Sequence, residues 1–310
     1  MAEKQKSSGG PITQDNTSVE YYCTIFAAAE SPLKEGVLWT GSDDGLVHVS
    51  QDGGKTWNNV TPKGMPEWMM INSVEPSVFD AGTCYIDGTK YKTGDFSPYL
   101  YKTSDYGKTW KKITNGIASE HFTRVVREDP KRKGLLYAGT ETGMYISFDD
   151  GANWKPFQLN LPIVPITDLA LKNNNLIVAT QGRSLWIIDD LGVIHQLAEA
   201  NGKENFLFKP KDTYRMGGNS REGSLTSGTN HPSGVMTYFN LKDPAEKKIS
   251  LSYLNSRGDT IQKFSTKKNA EKNIKELKVE KGANYHTWNM RGKDAERLDG
   301  MILWWASTDA

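Results

Sequence analysis

An all-β fold built from repeated small sheets is predicted by three observations. The motif Ser/Thr-x-Asp-x-Gly-x-Thr/Asn-Trp occurs three times, at 50–57, 103–110 and 147–154. Two β-rich apolar runs joined by a polar segment precede each copy. The copies recur at roughly 40 to 50 residues, a period typical of propeller blades, in which each four-stranded sheet buries its faces against its neighbours. The sequence therefore predicts part of a β-propeller.

Each copy of the motif, here called a box, has the residue types of a tight turn. Its Asp can accept hydrogen bonds from backbone N–H groups ahead of it, its Gly permits a positive φ, and its Trp opens the next strand. We therefore expect structural roles for the box residues Ser50, Asp52, Gly54, Trp57, Thr103, Asp105, Gly107, Trp110, Ser147, Asp149, Gly151 and Trp154. The Gly-Lys-Thr triplets of the first two boxes lack the earlier glycine of a phosphate-binding loop, so nucleotide binding is not predicted.

About four blades are expected, with strands A to D labelled from the axis outward. Strand A should be rich in β-branched, aromatic and small residues, because neighbouring blades crowd it on both faces. Runs of this kind occupy 21–30, 69–76, 121–130 and 164–172. The hairpins that follow occupy 36–50, 82–104 with a long connection at 87–96, 134–147, and 175–190, where the box Gly and Trp are lost.

Composition changes along the chain and divides it into four parts. Residues 1–18 contain a Ser/Gly/Pro segment and are expected to be a flexible lead-in, and 19–197 hold the blades. Residues 198–233 are rich in Gly, Asn, Ser and charge, which is typical of a connector. Short alternating strands then predict a β-sandwich over 234–310, with strands apparently missing at its end.

Charge and residue usage exclude several classes of protein. The chain has 310 residues, 9 Trp, 13 Tyr and a formal net charge of +1, which favours neither nucleic acid nor an anionic membrane as a partner. No apolar run approaches the roughly 18 to 20 residues of a membrane-spanning helix. The five histidines are dispersed, so we expect no metal and no cofactor. Cys23 and Cys84 both lie in predicted strands and are expected to be buried thiols, although a disulfide is possible.

Three longer segments carry a resemblance to a known family: VVREDPKRKGLLYAGTETGMYISFDDGANW, TQGRSLWIIDD and WNMRG. With the boxes, they resemble the Asp-box (bacterial neuraminidase repeat) propellers of sialidases, xyloglucanase-type glycosidases and sortilin-like receptors. The resemblance is strongest to large secreted bacterial proteins called sortilin-like or glycosyl hydrolase, and it implies a secreted or periplasmic protein with an immunoglobulin-like module after the blades. Asp-box propellers usually close with six or more blades. An upstream segment of the same protein is therefore expected to supply the remainder, and closure of four blades on themselves is the alternative.

The candidate site follows from the direction of the strands. Antiparallel strands place the boxes at one face and the B-to-C and D-to-A connections at the other, where such propellers bind ligands. Candidate ligand-binding residues at that face are Trp68, Tyr91 and Arg183. A recognition module for a glycan or peptide is the preferred function. A xyloglucanase-like glycoside hydrolase is the alternative, with its carboxylate pair drawn from Asp43, Asp44, Asp95 and Glu141.

Overall fold

The computed structural model describes residues 23–214, 232–244, 248–269 and 274–292, so the predicted lead-in at 1–18 lies outside the described residues. Within these ranges the protein is all-β apart from one short helix and one 3-10 turn. It divides into two compact units, which meet in sequence between Ile188 and Asp189.

The described part of the first unit contains four small antiparallel sheets, each with its strands in chain order. Sheet 1 contains β1 (Ile25–Glu30), β2 (Leu38–Ser42), β3 (Val47–Ser50) and β4 (Asn58–Asn59). Sheet 2 contains β5 (Met70–Pro76), β6 (Cys84–Lys90), β7 (Asp95–Thr103) and β8 (Lys111–Lys112). Sheet 3 contains β9 (Thr123–Glu128), β10 (Leu136–Thr140), β11 (Gly143–Ser147) and β12 (Lys155–Pro156). Sheet 4 contains β13 (Ile166–Lys172), β14 (Asn175–Thr180) and β15 (Leu185–Ile188).

Consecutive sheets pack face to face through their first strands. Strand β1 contacts β5, β5 contacts β9, and β9 contacts β13. The layer between sheets 1 and 2 includes Trp39, Ile71 and Ile86, all fully buried. The layer between sheets 2 and 3 includes Tyr85 and Leu136. Strands β5 and β9 are thus crowded on both faces, as the sequence predicts for strand A of a blade, whereas β1 and β13 each contact one neighbouring first strand and are largely exposed.

The box turns share one hydrogen-bond pattern. Asp52 accepts from the hydroxyl of Ser50 at 2.8 Å, from the backbone N–H of Thr56 at 2.9 Å and from the Thr56 hydroxyl at 2.6 Å. The corresponding bonds recur at Asp105 and Asp149 with lengths of 2.7 to 2.9 Å. The aspartate therefore closes each turn by satisfying donors four residues ahead of it.

Two details of the first unit differ from the sequence-based expectations. Strand β6 continues to Lys90 and β7 begins at Asp95, so only a short connection with a 3-10 turn at Tyr91–Thr93 remains of the expected loop at 87–96. The polar residues of that segment extend the strands because their backbones pair, with Asp87 opposite Leu100. Cys23 lies before β1 with a φ of 70° rather than inside a strand, and it is half-buried. Cys84 is fully buried, and no disulfide joins the two cysteines.

The second unit contains α1 (Gly192–Ala200) and two three-stranded sheets. One sheet has the order β16 (Asn205–Leu207), β17 (Val235–Leu241) and β21 (Gly282–Trp288). The other has the order β18 (Ser250–Leu254), β19 (Thr260–Ser265) and β20 (Ile274–Glu276). The ring centroids of Tyr253 and Trp288, which belong to different sheets, are 4.5 Å apart. The sequence predicts neither α1 nor β16, because it assigns 19–197 to the blades and 198–233, on composition, to a connector.

Candidate functional site

The two ends of the sheets in the first unit differ in what they present. The box turns follow the third strands at one end. At the other end lie the turns between second and third strands, together with the segments that lead into the first strands. This second end is called the turn face. It carries the residues at 43–46, 91–94, 141–142 and 181–184, which connect the second and third strands of the four sheets.

An aromatic and charged cluster lies at the turn face between sheets 2 and 3. The rings of Tyr91 and Phe122 are stacked, with centroids 5.1 Å apart, and the Phe96 ring lies 6.1 Å from Phe122. The Arg124 guanidinium lies 5.6 Å from the Tyr91 ring and 5.2 Å from the Phe122 ring. Its Nε donates to Glu141 Oε2 at 2.5 Å. These five residues are called the aromatic–arginine cluster.

Local sequence explains how the cluster forms. The 3-10 turn at Tyr91–Thr93 ends at Gly94, whose φ of 81° reverses the chain and brings Tyr91 and Phe96 to the same connection. Phe122 and Arg124 are two residues apart at the start of β9, so the two-residue period of a strand projects both side chains to one side. Phe122 is 3% exposed and Phe96 is 50% exposed. Phe122 is therefore the floor of the cluster, and Phe96 offers an open ring to solvent.

Sequence reasoning missed Phe122 and Arg124 as site residues. Both fall in the run 121–130, which the sequence predicts as a first strand and not as part of the ligand-binding face. The signal that identifies them is their i and i+2 spacing directly after a connection that ends at the turn face. Such spacing at the start of β9 places an aromatic ring and a cation together.

The four candidate carboxylates occupy different environments at the turn face. Burial raises the pKa of Asp43, assisted by the charge of Asp44 and opposed by the hydrogen bond from the backbone N–H of Thr24. Asp44 is 1% exposed and accepts from the Ser42 hydroxyl, and its Oδ2 has no hydrogen-bond partner among the described residues.

The remaining two carboxylates are held by their neighbours. Burial acts to raise the pKa of Asp95, but hydrogen bonds from the Tyr99 hydroxyl and from Ser97 outweigh it and leave the pKa below its ordinary value. Glu141 is paired with Arg124. The environment of Asp43 thus favours the protonated carboxyl, and that of Asp95 favours the carboxylate.

Among the three predicted ligand-binding residues, Tyr91 lies in the cluster. Trp68 is half-buried with a φ of 62°, and its backbone N would lie 3.6 Å from a β-carbon on Gly45, in the turn of sheet 1. Arg183 lies on the exposed turn of sheet 4, where its guanidinium donates to the carbonyl of Gly182 at 3.0 Å. The structure therefore joins Tyr91 to Glu141 through Arg124. It places Trp68 in the segment that leads into β5, beside the turn of sheet 1, and Arg183 on the turn of sheet 4.

A chain of charged side chains links the first strands of sheets 2, 3 and 4. Arg127 donates to Asp168 at 2.7 Å and lies 3.6 Å from Glu75. Burial raises the pKa of Glu75 to about 7, although the Arg127 charge lowers it. Burial likewise raises the pKa of Asp87 to about 6, against hydrogen bonds from Ser73 and Asn72. Asp87 is fully buried and Glu75 is half-buried against the neighbouring sheet, so we assign both to packing of the sheets.

Within the described ranges, no group of three or more His, Cys, Asp or Glu side chains is arranged to hold a metal ion. The helix that those ranges contain is too short to cross a membrane.

Parts of this chain are similar to known proteins. No family model matches the sequence. An oligoxyloglucan-reducing end-specific xyloglucanase of Emericella nidulans is 26% identical over 113 residues, which is 34% of this chain and 13% of the relative. Vacuolar protein sorting/targeting protein 10 of Laccaria bicolor is 29% identical over 109 residues, which is 34% of this chain and 7% of the relative. The solved structure of YCF48 bound to D1 peptide has a TM-score of 0.42 and 20% identity, covering 54% of this chain and 52% of that one.

The matched segments span only a small part of the length of both sequence relatives. The stacked antiparallel sheets and these sequence similarities together indicate a protein of the β-propeller class.

Proposed function

We propose that this chain is part of a secreted or periplasmic Asp-box propeller protein that recognises a glycan or peptide at its turn face. The observation that carries the proposal is the aromatic–arginine cluster. An exposed aromatic ring beside a positioned guanidinium is a combination that binding sites use, because the ring supplies contact area and the charged group fixes orientation. The immunoglobulin-like identity of the second unit belongs to the same proposal.

A glycan fits the cluster better than a peptide. The apolar face of a sugar ring can pack on the open Phe96 ring, and its hydroxyl groups can accept hydrogen bonds from the guanidinium N–H groups that Arg124 does not direct at Glu141. Arg124 is held between two rings and a carboxylate, so little side-chain freedom remains to be lost when a ligand binds. Binding of a peptide in place of a glycan is the alternative outcome of the titration described below.

Glycoside hydrolysis is the second candidate function, and the similarity to a xyloglucanase favours it. A general acid needs a carboxyl with a raised pKa, which Asp43 has. Its partner would be a carboxylate about 5 to 5.5 Å away for a retaining reaction or roughly 6.5 to 9.5 Å away for an inverting one. Asp44, Asp95 and Glu141 are the candidates for this partner.

Calorimetric titration of the 310-residue chain with xyloglucan oligosaccharides, β-glucan oligosaccharides, sialosides and a random peptide pool tests the proposal. We expect saturable binding of one glycan class and loss of that binding in a folded Phe96→Ala variant. Binding that is unchanged by Phe96→Ala would overturn the cluster as the site. Release of reducing sugar during the titration would replace recognition by hydrolysis, and binding confined to the peptide pool would replace the glycan.

A further inference from the structure

The tryptophans of the second and third boxes lock each sheet to the one before it. The indole N–H of Trp110 donates to the carbonyl of Val60 at 2.7 Å, and that of Trp154 donates to the carbonyl of Ile113 at 2.7 Å. Val60 and Ile113 occupy the same place in the repeat, three residues after the tryptophan of their own box. Each is a β-branched residue of the preceding sheet.

The box glycines complete this interface. A β-carbon on Gly107 would lie 2.6 Å from Cβ of Val60, and one on Gly151 would lie 2.6 Å from Cδ1 of Ile113. The glycine is therefore needed where the β-branched side chain of the preceding sheet enters. We call the box Gly and Trp the socket and the β-branched residue the knob.

The socket of sheet 1 lacks this neighbour in the described part of the chain. The Trp57 indole N–H folds back to donate to Gly54 in its own box at 3.1 Å, and the Trp57 side chain is 42% exposed. A β-carbon on Gly54 would meet only Leu38 and Trp57, at ordinary contact distances of 3.6 Å or more. The first strand of the same sheet also exposes Ile25 and Phe26, at 63% and 56%.

We propose that Gly54 and Trp57 form a docking socket for a further Asp-box sheet from outside this sequence. That sheet presents a Val or Ile three residues after its own box tryptophan, and its carbonyl replaces Gly54 as the acceptor for the Trp57 indole. The interface continues the one already formed twice within the chain. Residues 1–22 contain no tryptophan and no box, so they offer no such knob. Sheet 4 of a second copy has no box tryptophan either, so a head-to-tail dimer does not supply it.

Glycine substitutions test whether the socket is empty. Gly54 and Gly151 have nearly the same φ, 86° and 80°, so Gly54→Ala and Gly151→Ala carry similar backbone strain. The two glycines differ in their surroundings, because only Gly151 faces a knob, the side chain of Ile113. In the 310-residue chain we expect Gly151→Ala to lower the Tm by about 5 °C more than Gly54→Ala, because only the former overpacks an interface. Equal losses would show that the socket is already filled and would overturn the proposal. Sedimentation would then show whether the occupant is a second copy of the chain or residues 1–22.

Insertion of a copied sheet tests the occupant. A second copy of residues 67–120, placed between Tyr22 and Cys23, brings a knob equivalent to Ile113 ahead of sheet 1 while retaining the whole chain. In this protein Gly54→Ala should become as costly as Gly151→Ala, and Ile113→Ala in the copy should restore tolerance. A folded protein in which Gly54→Ala remains mild would overturn the proposal.

Indole hydrogen exchange tests the socket without any insertion. In the 310-residue chain the Trp57 indole N–H should exchange at least about tenfold faster than that of Trp154, because only the latter is buried against a preceding sheet. Trp57→Phe identifies the signal. Equal protection of the two indoles contradicts an open socket even if the protein with the inserted sheet does not fold.

Discussion

The indole nitrogen of Trp154 donates a 2.7 Å hydrogen bond to the carbonyl oxygen of Ile113 in the neighbouring sheet. Trp154→Phe removes this donor and leaves a buried carbonyl without a partner, so it should lower the free energy of unfolding by about 1 to 3 kcal/mol. Trp57→Phe removes only an exposed local bond and should cost less than about 0.5 kcal/mol. Urea denaturation of the two variants measures the difference, and equal costs would contradict the assigned interface.

The box aspartates should affect stability and leave ligand binding unchanged. Asp149 accepts hydrogen bonds from the backbone N–H of Asn153 at 2.8 Å and from its side chain at 2.7 Å. Asp149→Ala removes both acceptors, and we expect a loss of about 1 kcal/mol, comparable to the loss of a helix cap. Asp149→Asn is the matched control, because its amide oxygen can still accept from the backbone. A folded Asp149→Ala variant that lost binding at an unchanged Tm would contradict the structural role.

Glu75 should make stability depend on pH near neutrality. Burial raises its pKa to about 7 from the model-peptide value of 4.5. Between these two pH values the folded state holds a proton on Glu75 that the unfolded state has released. The contribution of Glu75 to the free energy of unfolding is therefore fully present below about pH 4.5 and is lost as the pH rises through about 7. Glu75→Gln, which stays neutral, should raise the Tm relative to the unmodified protein at pH 8 and change it little at pH 5. Thermal unfolding at both pH values measures this, with the exposed Glu67→Gln as the control; an equal shift at both pH values would contradict the assignment.

Phe96 and Leu33 form a matched pair for the binding test. Both side chains are 50% exposed, but Phe96 lies at the turn face and Leu33 lies between β1 and β2 at the opposite end. Phe96→Ala should weaken glycan binding about tenfold or more, because contact residues at the centre of a site carry most of the binding energy. Leu33→Ala should leave the affinity unchanged. If both variants bind equally well, the ligand does not use the cluster.

The carboxylates separate recognition from hydrolysis. If the protein is a recognition module, we expect no turnover of xyloglucan by the unmodified chain or by the variants Asp43→Asn, Asp44→Asn, Asp95→Asn and Glu141→Gln. A hydrolase should lose turnover by roughly 100-fold or more in one or two of these variants while affinity survives. A reducing-sugar assay on xyloglucan decides between them. Turnover in the unmodified chain that depends on Asp43 would establish hydrolysis.

Sequence alone determined the elements whose causes are local. Tight turns are fixed by groups within a few residues, so the Asp, Gly and Trp spacing located all three box turns, and β-rich apolar runs located the strands of the four sheets. The same local reasoning placed Tyr91 at the turn face. It did not predict α1, which spans the expected boundary between the blades and the connector at 197 and 198.

Tertiary structure alone decided which distant residues meet. The distance between Tyr91 and Phe122 depends on how sheets 2 and 3 pack, and that between Arg124 and Glu141 depends on the pairing of β9 with β10; no local pattern encodes either. The burial of the box tryptophans also depends on distant residues, since Trp57 and Trp154 follow similar local sequences but differ in exposure. Trp154 is 3% exposed because a preceding sheet covers it, whereas Trp57 is 42% exposed because none does among the described residues. Burial is a property of the packed neighbours, and the sequence around each tryptophan does not contain them.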